Sequence, residues 1–504
     1  MIINPGEGQR VFELPIGNVY VRTFGFSMDV NPKVPTEAIE RRLFVALSPE
    51  QLGEPFQEAM AEAGFEHHLD IPLDTREEFS GQGFLSESRP VVQVDVPSPN
   101  DMLLVAMKID RGIVQFHLPE STDQPRGAHT LLESARTGYS RFIIPISHGE
   151  YGGNFQGKMA ITLFDPLKTV VRFFKVRIVD ELLQAPITTL TNYIANKIES
   201  HVKDEQFRSL ADPDFPVLTP DDLATMSGEK TVLFIHGILS SIEGAFHALG
   251  KGGNSVLQQL SDKYNGRLIG WDHWTVSKTM TKNAIDLLNA LPDDMDVHIV
   301  CHSRGGAVTR AILEDPALKN LREKKLRTVN EVIFVAGANQ GSPLANPDRL
   351  VDLINVFNGL YSLVGNGSGV SIKVIVGVLK VLLHGVFNIP SLRDLTPGSK
   401  FYQRLNGPYC TPAQEYCYVR ANFDEKGISV RSTLDTLADS YIQEPNDLVV
   451  PFKGAMTFDP YLSGKVPVNR GMDYGDSNTG QSTVLHTNYF EQAEVRDLLL
   501  NKLL

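Results

Sequence analysis

Five apolar runs in the second half of the chain, "KTVLFIHG", "NGRLIGWDH", "DVHIVCHS", "EVIFVAGA" and "EYCYVRANF", are continuous where a half-exposed strand would alternate. A strand that is apolar at nearly every position has to be covered on both faces, which is the situation of a parallel sheet between two layers of helix. Helical stretches such as "TKNAIDLLNAL" and "GAVTRAILEDPALKNL" lie between the runs. The alternation predicts an α/β fold with a mostly parallel sheet and helices on both sides.

The first part of the chain has a different pattern. Residues 1–180 carry short runs, among them "NVYVRTFGF", "VVQVDVP", "MLLVAMKI", "RFIIPI" and "TVVRFFKVRIV", separated by Pro, Gly, Asp and Ser clusters. This predicts a β-rich, sandwich-like domain. A helical stretch is expected over about residues 182–209. The Pro- and Asp-rich "LADPDFPVLTPDDLATMSGEK" then reads as a linker, so residues 181–225 form a connecting segment and 226–504 the α/β domain. The 504 residues suffice for two such domains, and no repeat period suggests a solenoid.

One insertion interrupts the alternation. Residues 347–390 contain "PDRLVDLINVFNGLYSLVG" and "GVSIKVIVGVLKVLLHGVFNIP", read as two helices joined through Gly365 to Gly369. Lys373 and Lys380 argue against a bilayer span, since each would cost roughly 2.5–3.5 kcal/mol at the centre. Lys373, Gly377, Lys380 and His384 fall on one narrow polar stripe. Two readings stay open: a core helix with one solvated edge, or a lid whose apolar face covers a greasy pocket or makes peripheral contact with a membrane.

The chemistry-bearing segment is "CHSRGG", residues 301–306, between an apolar run and a helix. A serine in G-x-S-x-G at such a junction forms a nucleophile elbow, whose strained turn demands small neighbours two residues away. Gly305 meets that demand on the far side, and Cys301, also small, stands at the near side. Upstream, "TVLFIHGILSS" ends a strand in a turn that can bring the Ile238 N–H beside the elbow. That group and the N–H of Arg304 are the expected oxyanion donors. Downstream come Asp447 in "EPNDLVVPF" and His486 in "STVLHTNYF". The chain order Ser303, Asp447, His486 is the Ser, acid, His order of the elbow enzymes. Asp424 and Asp394 remain alternative acids. His236 reads as support for the oxyanion turn, His302 as packing near the elbow, and Trp271, Asp272 and His273 as pocket wall.

With "FIHG", "IGWDHWT", "CHSRGG", "FVAGANQGSPLA", "LRDLTPGSKF", "NDLVVP" and "LHTNYF" in order, residues from about 229 to 504 resemble a bacterial α/β-hydrolase of the lipase/esterase type, related to the lecithin:cholesterol acyltransferase and GPI-inositol deacylase group. "GANQGSPLA" is similar to the G-T-P-x-x-G-S segment of such lipases, and "NDLVVP" to their N-D-G-x-V acid loop. Cys301 in place of the first elbow glycine, and Leu448 in place of the glycine after the acid, depart from that pattern. The resemblance implies a serine hydrolase of lipid or other hydrophobic carboxylic esters, working through an acyl-serine intermediate without a cofactor. Acyl transfer to an alcohol uses the same groups. A rival from another class is a binding or scaffolding protein whose N-terminal module recognises a protein partner or regulates the rest. No family is recognised in residues 1–225.

Composition narrows the partners. A formal net charge of −13 disfavours a nucleic-acid ligand, which needs a broad basic face. Neither C-x-x-C nor H-E-x-x-H occurs, so no metal site is expected. The opening "MIINPGEGQRVFELPIG" has no basic stretch followed by an apolar one, and the three cysteines, Cys301, Cys410 and Cys417, cannot all pair. Both features point to a cytoplasmic protein, with a Cys410–Cys417 bridge left open.

Overall fold

The structure is a computed structural model in which the chain forms two compact units; residues 1–198 make up the body of the first, and the second begins at Glu199. It describes residues 2–3, 12–14, 18–24, 28–30, 65–75, 91–97, 102–110, 113–117, 119, 139–145, 168–177, 199, 204–346, 390–406, 416–424, 439, 442–459, 464–465, 470–475 and 482–504. The expected helical insertion at 347–390, apart from Pro390, lies outside the described residues, as does Cys410. Cys301 and Cys417 are free and buried. Among the described residues no helix is long and apolar enough to cross a membrane.

Among its described residues the first unit has ten strands: β1 (Ile2–Ile3), β2 (Phe12–Glu13), β3 (Tyr20–Phe24), β4 (Met28–Val30), β5 (Phe65–Thr75), β6 (Val91–Pro97), β7 (Met102–Asp110), β8 (Ile113–His117), β9 (Tyr139–Pro145) and β10 (Lys168–Arg177). They form two antiparallel sheets, ordered β1-β4-β5-β10-β7-β8 and β2-β3-β6-β9. Alternate residues from both sheets, including Val92, Val94, Val96, Phe142, Ile144, Leu69, Ile71, Leu104, Ala106, Val171 and Phe173, form one buried cluster. Period-two alternation turns every second side chain inward, and each large apolar side chain buried this way contributes about 1.5–3 kcal/mol. Phe142 and Phe173 meet edge-on across the core, with ring centroids 5.1 Å apart. Intervening positions stay polar, as in the Arg141–Asp95 ion pair, 2.8 Å.

The second unit is built on β11 (Gln206–Ser209), β12 (Lys230–Ile235), β13 (Leu268–Asp272), β14 (Met295–His302), β15 (Leu326–Val335), β16 (Tyr416–Ala421) and β19 (Gly471–Tyr474), with β17 (Thr457–Asp459) and β18 (Gly464–Lys465) as a separate ribbon. The sheet order is β11-β13-β12-β14-β15-β16-β19. All pairings are parallel except that of β11 with β13. Between β12 and β13 lie α2 (Ile242–Phe246) and α3 (Val256–Tyr264). Next, α4 (Met280–Ala290) leads to β14, and α5 (Arg304–Glu314) with α6 (Lys319–Lys325) leads to β15. Beyond them come α7 (Pro390–Leu395), α8 (Lys400–Leu405) and the C-terminal α9 (Ala493–Leu503). Every residue of β14 is buried, Asp296, His298 and His302 included. This is the α/β-hydrolase architecture, preceded by a β-rich domain.

The expected boundary near residue 226 falls inside the second unit. Residues 206–209, assigned by sequence to the end of a helix, are strand, and Gln206 to Ser209 pair with Asp272 to Ile269. The Pro- and Asp-rich stretch after them supplies turn and cap signals within the fold. Asp212 accepts the N–H of Asp214 at 2.9 Å, and Thr219 forms a capping box with Asp222 at the start of α1 (Pro220–Ala224). Linkers and tight turns draw on the same residue types, so composition alone does not separate them.

Candidate active site

Ser303 joins the end of β14 to the start of α5 with φ 56° and ψ −126°. A non-glycine residue there carries about 1–3 kcal/mol of backbone strain, held only where the surroundings leave no alternative. The main chain supplies that hold: Ser303 N–H donates to Val335 O at 3.0 Å, and Ser303 O accepts from Gly306 (2.9 Å) and Ala338 (3.0 Å). Clearance comes from glycines. A Cβ at Gly305 would stand 2.3 Å from Ile235 O, and one at Gly237 would stand 2.6 Å from Ser303 Cβ and 3.1 Å from its Oγ. At the near side, the buried Cys301 thiol points to Ile333 O at 3.5 Å. Burial, only partly offset by a hydrogen bond with Thr309, pushes that thiol up to about 12. Cysteine thus fits where glycine is usual and stays a neutral packing group.

Three sequence-selected side chains come together above this elbow. Ser303 Oγ lies 2.8 Å from His486 Nε2, and His486 Nδ1 lies 2.9 Å from Asp447 Oδ2. Ser303, His486 and Asp447 are 3%, 1% and 1% exposed. The carboxylate is well held: Asp447 Oδ1 accepts the N–H groups of Val449 (3.1 Å) and Val450 (2.8 Å), while Tyr489 donates its hydroxyl to Oδ2 at 2.9 Å. Burial alone would raise the Asp447 carboxyl. The adjacent imidazole and the donors from His486, Val450 and Val449 outweigh it and hold the group below the ordinary carboxylate value. Of the three candidate acids it is Asp447 that meets His486 Nδ1, while Asp394 lies beside Arg393 at 3.5 Å.

The acid loop explains the departure at Leu448. Its φ is 81°, a conformation glycine adopts without strain. Here the turn is secured by the Leu448 N–H donating to Asn446 Oδ1 at 2.8 Å, and the side chain is fully buried. Packing replaces conformational freedom.

Ile238 follows Gly237 in the turn beside the elbow, and neither its N–H nor that of Arg304 has a hydrogen-bond partner among the described residues. His236 supports this turn by donating Nδ1–H to Gly237 O at 2.8 Å, while His273 stacks on its ring at 4.1 Å. Asp272 accepts the N–H of Ile242 at 2.8 Å, and Trp271 packs on Phe207 at 4.7 Å. His273 and Asp272 brace the turn from the β13 side. His302 donates Nε2–H to His486 O at 2.9 Å. Burial, with the neighbouring His486, lowers its imidazole to about 3, so it is a neutral clamp on the histidine loop.

The Arg304 side chain is completely buried. It donates to Ser391 Oγ (2.7 Å), Lys278 O (2.8 Å) and Asn283 Oδ1 (2.7 Å). Burial lowers the guanidinium to about 10, although Glu199, Asp394 and Tyr402 counter it. Sequence reasoning missed the contributions of Tyr489 and Glu199. Tyr489 sits inside the noted "LHTNYF", three residues after the histidine, and that spacing was its only signal; Glu199 had been placed in a connecting helix.

A family model described as Domain of unknown function (DUF7379) matches residues 197–504, more than half of the chain. The chain belongs to this family. Its span opens just before Glu199, where the second unit begins. No curated protein matches the chain. Similar solved structures include the mature lipase BlEst2 of Bacillus licheniformis, 16% identical over 55% of this chain and 92% of that one, with a TM-score of 0.29. Lipase 1 of Pelosinus fermentans is 13% identical over 55% and 98%, with a TM-score of 0.38. Carboxylesterase CesB of Bacillus subtilis is 13% identical over 63% and 98%, with a TM-score of 0.32. At such values the likeness assigns no residue roles in the DUF7379 unit.

Proposed function

We propose that the second unit is a serine hydrolase of carboxylic esters, acting on lipid or other hydrophobic acyl groups. The observation that carries this reading is the unbroken line from Ser303 Oγ through the His486 imidazole to Asp447, with contacts of 2.8 and 2.9 Å. A serine hydroxyl is a weak nucleophile until a base removes its proton, and His486 Nε2 is within reach to do so as Oγ attacks the ester carbonyl. Asp447, by accepting from Nδ1, fixes the tautomer that leaves Nε2 free and stabilises the imidazolium that forms. The N–H groups of Ile238 and Arg304 meet the negative oxygen of the tetrahedral intermediate, each worth on the order of 3–4 kcal/mol. Collapse expels the alcohol, protonated by His486. Water, activated by the same imidazole, then releases the acid from Ser303.

The preference for hydrophobic esters, and the finer affinity to the lecithin:cholesterol acyltransferase and GPI-inositol deacylase group, rest on the sequence motifs and the apolar stretch at 347–390. A cytosolic site of action is supported by the free thiols of Cys301 and Cys417. Labelling with a fluorophosphonate, in wild type and Ser303→Ala, tests the nucleophile; labelling that survives the substitution defeats it. Nitrophenyl esters of increasing chain length test the substrate class, and a preference for short soluble acyl groups removes the lipid part alone. Product analysis with added alcohol separates hydrolysis from acyl transfer.

A further inference from the structure

The turn bearing Ile238 is held by contacts from the end of β13 and the stretch that follows it. Leu239, the next residue, has φ 56°, and its N–H donates to Thr275 Oγ1 at 3.1 Å. Two other holds on the same turn also come from the stretch after β13: His236 Nε2 accepts the His273 N–H at 3.3 Å, and Ile242 N–H donates to Asp272. The stretch also contacts the residue that carries the second expected donor, because Lys278 O accepts from the Arg304 guanidinium at 2.8 Å. Residues 272–278 thus touch the Ile238 turn and the Arg304 side chain.

What holds residues 272–278 is the segment that opens the second unit. The Glu199 carboxylate, almost fully buried, accepts the N–H of Thr275 at 2.5 Å, Val276 at 3.1 Å and Ser277 at 2.8 Å, and the Ser277 hydroxyl at 2.5 Å. Glu205 accepts the Trp274 N–H at 3.2 Å and pairs with Lys278. Arg208 pairs with Asp272 at 2.5 Å. Three consecutive amides converging on one carboxylate fix the path of residues 275–277.

We infer that Glu199 is a positioning residue for the oxyanion hole, acting through Thr275, whose hydroxyl sets the turn carrying the Ile238 N–H. This rests on the esterase reading. Glu199 touches neither substrate nor reacting atoms; it fixes where Thr275 Oγ1 stands, and so the φ of Leu239 and the aim of the preceding amide. Preorganised donors stabilise the transition state because they need no reorientation during reaction, so loosening this chain affects kcat and leaves ground-state binding unchanged.

The test uses the full-length protein with Thr275→Val, Thr275→Ser and Glu199→Gln. Thr275→Val keeps the shape and removes the acceptor. It is expected to lower kcat on a nitrophenyl ester about 10- to 100-fold, somewhat less than loss of a direct donor. KM should stay within about twofold, because uniform binding is untouched. Inhibition by a trifluoromethyl ketone, which forms a tetrahedral oxyanion on the serine, should weaken by the same factor as kcat. Thr275→Ser restores kcat and ketone inhibition, Glu199→Gln gives a smaller loss of the same kind, and hydrogen exchange at the Leu239 amide rises in Thr275→Val. Unchanged exchange in Thr275→Val, or raised exchange with unchanged kcat, overturns the inference. So does a fall in kcat without matching weakening of the ketone, which marks general destabilisation. An inert wild type that resists fluorophosphonate while the exchange result holds overturns the esterase reading, and with it the positioning role assigned to Glu199.

Discussion

The sandwich core of the first unit and the C-terminal edge of the second unit's parallel strands are both buried, but with different kinds of side chain. The first gathers Val, Leu, Ile and Phe at alternate positions of two sheets. The second buries Ser303, His486, Asp447, Arg304, Thr275 and Glu199. Each apolar group of the sandwich adds stability on burial, whereas a buried polar or ionic group at best breaks even after losing its water. The second region is therefore organised for position: its groups are held by specific donors and acceptors, and a strained serine and a strained leucine persist within it. Packing and placement should separate experimentally.

The largest separation is expected from Ser303→Ala. On the esterase reading turnover falls by about 10⁴- to 10⁶-fold, while thermal unfolding of the second unit moves little, since the loss is one hydroxyl. A large drop in melting temperature would blur the comparison, and retained turnover would break it.

Phe173→Ala should do the reverse. Emptying a site that Phe142 packs against is expected to cost the first unit about 3–5 kcal/mol in denaturant unfolding, with fluorophosphonate labelling of Ser303 unaffected.

The third comparison uses pH. His302 has a folded pKa of about 3, below its unfolded value near 6.5, so the unfolded chain takes up the proton first. Stability tied to this group is complete above about pH 6.5, falls as pH drops, and is lost by about pH 3, a total on the order of 5 kcal/mol. Urea unfolding across that range should show the slope, and His302→Gln, which keeps a donor for His486 O, should flatten it.

The smallest effect is expected at Leu448→Gly. Removing the strain of φ 81° gains about 1 kcal/mol, and removing a fully buried leucine loses somewhat more. A net change of only about 1–3 kcal/mol in the unfolding free energy would show that packing offsets strain at this loop. A loss well beyond that range would mean the strain is slight.

Much of the architecture was legible because its signals are local. Apolar periodicity identified the parallel strands, and small residues on both sides of Ser303 identified the elbow. The order of serine, acid and histidine followed from turn and strand-end chemistry. Misplacement of the boundary near 226 was local too: Pro and Asp at caps and Asx turns look like linker composition until β11 is seen paired with β13.

The chain's own letters, then, settle an α/β domain behind a β-rich one and place one serine at a strand-to-helix turn, since backbone preference and apolar spacing act over a few residues. Tertiary structure alone decided that Asp447, and neither Asp424 nor Asp394, meets His486 Nδ1, that Tyr489 shares that carboxylate, and that Glu199 holds Thr275. Such contacts join residues far apart in sequence, 183 for Ser303 with His486 and 76 for Glu199 with Thr275. A hydrogen bond depends on distance and direction to within a fraction of an ångström, and those are properties of the folded sheet that no run of neighbouring residues encodes.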